Sequence, residues 1–425
     1  MGAGSSRRKF ESLTSLSKEE KEGLQHLFSN ISSGNHETNA GHMEAYIKKW
    51  TTEYMSRVLL KSMLAIEGKQ GQVSLITFAE LASLVLKMSV DNETDFILKS
   101  IGDPPQSQHL KEYVKNMFQS YAKCAADSAE LSKWSFQSEE AEAERFAEYI
   151  LQDLVFEKMS LKACFDEEFP LREITRDKLE RWYLESQLFP KLQQTVFSRV
   201  FLGKSQPSMV PLPVQADSVR AASILKLADV LTLNSGIPVE YRKKWRLLFS
   251  TRLHGESFST LLGKIMRKGA TLLIIRDKTA CVFGGYAPIS WSCGPKYFDC
   301  YHPNPWDGST GYNSNYLYLN TNQKTMPNGL GFGGRLEYFG LWLDSEFGTG
   351  RANASCTTYH SPQLCKSQEF YIDHMEVWGV GEEPEVDETE RASVLDVDPE
   401  AKALLEMAGR RMASDGIRES DAKDK

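Results

Sequence analysis

Three prolines within seven residues, Pro207, Pro211 and Pro213, constrain this chain more than any other feature. Proline fixes its own φ, has no amide N–H, and pushes the residue before it away from helical conformation. No helix continues through Ser205–Pro213, so a boundary is expected there, with residues 201–214 as a linker. At 425 residues the chain also exceeds the common domain size of about 50–250 residues. The texture changes across the break: helical spacing dominates before it, and glycine, aromatic and β-branched residues after it.

In the first half, Ser17-Lys18-Glu19-Glu20 is a capping box. Leu24, Leu27, Phe28 and Ile31 follow at the spacing of an amphipathic helix. The same periodicity recurs over 53–66, 78–88, 107–123, 141–159 and 176–200, so residues 11–200 read as an all-α domain. The stretch Gly71 to Leu81 resembles an EF-hand loop with Gly71 at its sixth position and Val73 at its eighth. Its ligand positions then fall on Ile66, Gly68, Gln70 and Thr77, and Ca²⁺ lacks the carboxylates it needs. Asp91, Glu93 and Asp95 alternate, but Phe96 and Gly102 stand where a loop needs glycine and glutamate. The reading is an EF-hand-like helical scaffold without metal. Glu139, Glu140, Glu142 and Glu144 read as a solvated face at a helix start.

After the break, a helical run from Ala221 to Leu233 gives way to short apolar segments: Thr271 to Ile275, Ala280 to Phe283, Tyr316 to Leu319, Leu336 to Leu343 and Glu369 to Trp378. Arg276-Asp277-Lys278-Thr279 reads as a hairpin turn between the first two. This is the pattern of an antiparallel β-sandwich with flanking helices, so the whole chain is α+β.

Charge is uneven. From Glu382 to Lys425 there are 14 acidic and 7 basic residues, which accounts for the whole formal charge of −7. The balanced remainder argues against nucleic-acid binding, which needs a basic stripe. Within the tail, Asp398-Pro399-Glu400 starts a helix whose apolar stripe comprises Ala401, Leu404, Leu405, Ala408 and Met412. That stripe either docks on its own body or is offered to a partner's groove. At the other end, Gly2 and Ser6 fit the N-myristoylation pattern, and Arg7, Arg8 and Lys9 follow. One acyl chain holds a membrane weakly, and basic residues strengthen it at an anionic surface. The alternative is a polar terminus with a chance glycine. A cytosol-facing anchor leaves the sequons at Asn30, Asn92 and Asn353 unused. Seven cysteines without a C-x-x-C pair (124, 164, 281, 293, 300, 356 and 365) fit reduced thiols rather than a disulfide framework. Cys293, Cys300 and His302 lie close in sequence but read as loop residues, not a metal cluster.

Catalytic readings fail on context. Gly329-Leu330-Gly331-Phe332-Gly333-Gly334 lacks the following helix of a dinucleotide fingerprint, because Arg335 to Leu343 reads as strand. Its glycines serve a tight turn or a close backbone approach. His254, Glu256 and Ser257 are adjacent in one loop, with neither a G-x-S-x-G nor an H-E-x-x-H motif.

Several segments in order, Trp245-Arg246-Leu247-Leu248-Phe249-Ser250, His254 to Leu261, Val282-Phe283-Gly284-Gly285-Tyr286, Asn328 to Gly334 and Glu376-Val377-Trp378-Gly379, resemble a TLDc domain over about 215–381. With Gly2 and the helical half, the layout is similar to the myristoylated, lysosomal branch of that family. The resemblance implies a non-enzymatic adaptor without cofactor on the cytosolic face of the lysosomal membrane and in the cytoplasm. It further implies that mTOR is recruited there and that V-ATPase is contacted. The alternative from another class is an oxidative-stress-protective protein with cysteine-based or unrecognised catalytic activity.

Overall fold

The computed structural model describes the chain except residues 1–9, 11–12, 14, 69–70, 88, 137–140, 156–168, 216–222, 299–311, 360, 362 and 385–425. Helix α1 (Lys18–Ile31) starts at the expected box: the Ser17 hydroxyl accepts from the Glu20 N–H, and the Glu20 carboxylate accepts from the Ser17 N–H. Both bonds occupy amides that a helix start otherwise leaves open. Leu24 and Phe28, one turn apart, are buried.

Helices α2 (Ala40–Ile47), α3 (Glu53–Glu67) and α4 (Leu75–Leu86) follow. Between them two short strands, β1 (Glu37–Asn39) and β2 (Gln72–Ser74), pair antiparallel with Thr38 opposite Val73. The result is two helix–loop–helix units joined loop to loop, a paired EF-hand scaffold. Only the second loop has a sequence signature; the first has His36 two residues before Thr38, where the second has Gly71 before Val73.

Asp91, Glu93 and Asp95 lie in no loop. They stand on α5 (Val90–Ile101), with Glu93 buried. Helices α6 (Ser107–Ala125), α7 (Glu142–Val155), α8 (Arg176–Glu185) and α9 (Phe189–Leu202) complete the half. The single run expected over 176–200 is therefore two helices. Pro190 sits in the first turn of α9, where its missing N–H costs nothing. The acids at the start of α7 also differ from a solvated face. Glu142 is half-buried and accepts from the Ala228 N–H at 2.8 Å, and burial raises its pKa. Glu144 pairs with the buried Lys111 at 2.9 Å. Glu139 and Glu140 lie outside the described residues.

The proline-rich segment is more than a linker. Phe201 and Leu202 end α9, Val210 is buried, and Leu212–Gln215 forms β3, parallel to β4 (Lys244–Ser250). The Leu212 N–H donates to the Lys243 carbonyl, so the ring nitrogen of Pro213 turns to the open edge. Edge position is what makes proline tolerable in a strand. Helix α10 (Leu227–Gly236) starts later than Ala221; the Asp229 carboxylate accepts from the Lys226 N–H and marks its N-terminus.

Then come α11 (Thr251–His254), α12 (Phe258–Ile265), β5 (Thr271–Asp277), β6 (Val282–Ala287), β7 (Gly294–Phe298), β8 (Leu317–Asn320), β9 (Gly329–Phe332), β10 (Leu341–Asp344), β11 (Thr349–Ala352) and β12 (Glu369–Val380). One layer runs β3-β4-β12-β5-β6 and the other β12-β11-β10-β9-β8-β7. Strand β12 belongs to both: Glu369–Tyr371 pairs with β11, and Ile372–Val380 lies between β4 and β5 beyond an irregularity at Ile372/His374. Such a bend lets one strand change layers. The core between the layers includes Phe249, Leu273, Ile275, Leu319, Leu330, Leu343 and Phe370. All strand pairs of this sandwich are antiparallel except β3–β4.

Leu336 to Leu343 does not form one strand. Arg335 and Tyr338 exchange backbone hydrogen bonds in a tight turn, and β10 begins at Leu341. Gly329 and Gly331 lie inside β9 rather than in a turn. A Cβ on Gly331 would meet the Phe339 ring at 2.6 Å, so here glycine permits close approach.

A second, larger core joins the halves. Trp134, from the helical half, lies 4.9 Å from Trp378 on β12 and 6.1 Å from Trp245 on β4, centroid to centroid. Its indole N–H donates to the Pro211 carbonyl at 2.9 Å. One apolar cluster runs from α1 through this tryptophan group to Leu272, Ile274 and Val380 on the sheet.

Candidate functional site

Among the described residues, chemistry-bearing side chains gather at the second EF-hand loop, at the centre of β12, and at the point where the tail leaves the body. In the loop, the Glu67 carboxylate accepts from the Ser74 N–H at 3.2 Å, the Ser74 hydroxyl at 2.6 Å and the Thr77 hydroxyl. Thr77 stands where an EF-hand places its bidentate glutamate. The loop is thus closed by a carboxylate and two hydroxyls of its own. Glu67 was not among the expected ligand positions, because it is the second residue of the loop. Among the described residues no group of three or more His, Cys, Asp or Glu side chains is arranged to hold a metal ion.

On β12, His374 and Glu376 are each 1% exposed. The Thr251 Oγ1 accepts from the Met375 N–H at 3.2 Å and shares a hydrogen bond with His374 Nδ1 at 2.5 Å. His374 Nε2 lies 3.4 Å from Glu376 and makes no hydrogen bond among the described residues. The Glu376 carboxylate also accepts from the Ile224 N–H at 2.9 Å, the Ser223 hydroxyl at 2.7 Å and the Trp378 indole at 3.0 Å. A hydroxyl, an imidazole and a carboxylate in line invite a nucleophile–base–acid reading. All three are buried, so the network acts as a tie that pins residues 223–224 to the sheet. Glu376 was legible only as part of the family-like segment.

Of the three loop residues without a catalytic motif, His254 and Ser257 fix backbone. His254 Nδ1 accepts from the Ser250 N–H at 3.0 Å, and Ser257 caps α12 by accepting from the Thr260 N–H. Glu256 is exposed in the same loop. Four of the described thiols are shifted away from activation. Burial pushes Cys124 up to about 12 and Cys365 up to about 11, and raises Cys281 and Cys293 as well. A reactive thiol needs the opposite shift. Cys164, Cys300 and His302 lie outside the described residues.

At the tail's root, Gly381 adopts φ 78° against the Tyr241 ring. The next two residues meet cations: Glu382 pairs with Lys244 at 2.6 Å, and Glu383 with Lys268 at 2.5 Å and Arg246 at 3.6 Å. Arg246 also donates to the carbonyls of Gly381 and Lys268. Lys268, then Arg246, hold the Glu383 carboxyl below its usual range. Strands β4 and β12 thereby set where the acidic tail departs. Gly2, Arg7, Arg8, Lys9, Leu404, Leu405, Ala408 and Met412 lie outside the described residues. No helix among the described residues is long and apolar enough to cross a membrane.

The family model for the TLDc domain matches residues 219–381. The chain is 33% identical to the chicken (Gallus gallus) mTOR-associated protein MEAK7, over 89% of this chain and 86% of that protein. It is 34% identical to the human (Homo sapiens) protein of that name, over 83% and 82%. Against the mouse (Mus musculus) nuclear receptor coactivator 7 it is 35% identical over 146 residues, 32% of this chain and 14% of that protein. The first two likenesses run through both halves and the joint between them. The chain belongs to the family of the mTOR-associated protein MEAK7, with a TLDc domain as its sheet half.

Proposed function

We propose that this chain is a non-enzymatic adaptor associated with mTOR signalling, held at the cytosolic face of the lysosomal membrane and in contact with V-ATPase. The observation that carries the reading is the likeness, over more than four fifths of both chains, to relatives named as mTOR-associated proteins. The anchor is a myristoyl group on Gly2, supplemented by Arg7, Arg8 and Lys9. The tail stripe Leu404, Leu405, Ala408 and Met412 contributes to partner binding, most naturally to V-ATPase, while the TLDc body supplies the main surface. The clamped root at Glu382 and Glu383 supports this, since it gives the tail a defined starting point on the body.

The alternative, a cysteine-based protective enzyme, draws no support from thiols whose pKa burial raises. The test is a pull-down of mTOR and V-ATPase from lysosomal membranes by the full chain. Gly2→Ala should move the protein to the soluble fraction. Changing Leu404 and Leu405 together to Asp should weaken V-ATPase capture with the melting temperature unaltered. Unchanged membrane fractionation of Gly2→Ala would remove the anchor. Loss of several kcal/mol in the double variant would make the tail helix part of the protein's own core.

A further inference from the structure

The helical half buries a carboxyl group that no role above uses. Glu93 on α5 is 8% exposed, where α5 packs on α6 and α8 and reaches α9 through Phe96 against Phe197. Its Oε2 accepts at 2.7 Å from Nε2 of Gln193 on α9, itself 1% exposed. The Tyr183 hydroxyl of α8 meets the same carboxyl, Tyr113 of α6 feels its charge, and Tyr54 of α3 stands beside Tyr113. The groups facing Glu93 are thus phenols and an amide. The cation of this interface, Arg176 at the start of α8, pairs on the exposed rim with Asp91 at 3.6 Å and Asp95 at 3.4 Å. Two buried atoms of the cluster, the Tyr113 hydroxyl and Gln193 Oε1, have no hydrogen-bond partner among the described residues.

This surrounding fits a neutral carboxyl better than a carboxylate. Ionised, Glu93 only accepts, and its charge sits among apolar and neutral polar groups. Neutral, it gains an O–H to donate within a cluster that has acceptors to spare. Burial accordingly raises its pKa from 4.5 to about 7.

We propose that Glu93 is a proton-operated clamp on α5: neutral, it ties α5 to α8 and α9, and ionised, it loosens that joint, so the helical half tightens on mild acidification below neutral pH. The direction follows from linkage. Once α5 opens, the exposed carboxyl releases its proton near 4.5; closed, it keeps it until about 7. Between these values opening releases a proton, so the opening equilibrium rises about tenfold per pH unit and levels off above 7.

Hydrogen exchange on the full chain between pH 5.5 and 8 tests this, with protection factors corrected for the intrinsic rate. Protection of amides in 90–101 should fall about tenfold from pH 6 to 7.5 in the unaltered protein. Glu93→Gln, neutral throughout, should hold protection level across that range. If that variant does not fold, the double change Glu93→Leu with Gln193→Met removes the polar pair together and should be equally flat. A pH dependence that survives in either variant, or its absence from the unaltered protein, overturns the proposal.

Discussion

The helical half and the sheet half solve the same problem, the burial of polar backbone, in opposite ways. In the helical half several segments satisfy themselves: Ser17 and Glu20 cap α1, and Glu67 closes its own loop through Ser74 and Thr77. The sheet half depends on residues far apart in sequence. Glu376 holds Ile224, 152 residues away, and β3 enters the sheet beside β4 across an intervening helix. Local satisfaction leaves tolerance, whereas long-range register leaves almost none. The two regions should therefore answer differently to the same kind of substitution.

The largest effect should come where the regions meet. Trp134→Ala removes a buried indole lying against Trp245 and Trp378 and frees the Pro211 carbonyl. The expected cost is about 3–5 kcal/mol. Calorimetry should show one melting transition in the unaltered protein and two in the variant, as the halves lose their shared core. A single transition shifted by less than a degree would mean that the joint is not energetic.

The same contrast governs what could be read from sequence. Helix positions were legible because their signals are local: capping residues, apolar spacing, and proline or glycine at the ends. Failures in that half came from missing one such signal, as with Pro190 in the first turn of α9, or from charge that looked exposed. Glu93 read as one acid of a failed EF-hand loop and Glu142 as part of a solvated face, and nothing within a few residues of them shows that Gln193 or Ala228 will cover them. In the sheet half the general texture was legible and the boundaries were not. Leu336 to Leu343 has strand composition, yet a turn at Arg335–Tyr338 takes half of it. The prolines at 211 and 213 read as a break, yet β3 forms there because an edge strand needs no N–H from Pro213. The tail's root was invisible, since Lys244, Arg246 and Lys268 converge on Glu382 and Glu383 only after folding.

A pair of glycine changes sharpens the comparison. Gly331→Ala places a methyl 2.6 Å from the Phe339 ring and 3.1 Å from Trp342, so it should destabilise by about 1–3 kcal/mol. Gly23→Ala, inside α1 with nothing within 4 Å of the new methyl, should stabilise by about 0.5–1 kcal/mol. Denaturant midpoints measure both. Equal signs would break the distinction between a tolerant and an intolerant region.

Glu67→Gln probes the self-closed loop. It weakens the bonds from Ser74 and Thr77 and should cost about 1 kcal/mol. The melting temperature of the unaltered protein should not respond to added Ca²⁺ at sensor concentrations, since positions Ile66, Gly68, Gln70 and Thr77 supply no carboxylate. A micromolar calorimetric site would show that other ligands had been overlooked.

The smallest effect concerns an exposed ion pair at the root of the tail, on the sheet half. Glu383 is held ionised first by its hydrogen bond to Lys268, so its folded pKa lies below the ordinary 4.5. For a depressed carboxyl the stabilisation is complete above the unfolded pKa and is lost as pH falls through the folded one. Both side chains are more than a third exposed, at 36% and 49%, so solvent screens the pair and its worth is about 0.2–1 kcal/mol. Lys268→Ala should accordingly lie slightly below the unaltered protein in melting temperature at pH 6, and the gap should close on acidification well below 4.5. Salt should narrow it at any pH, because exposed pairs are screened within about 10 Å at 0.1 M. A gap that stays constant with both pH and salt would mean that Lys268 acts through its packed aliphatic stem, and that the tail's root is held by Arg246 and the backbone instead.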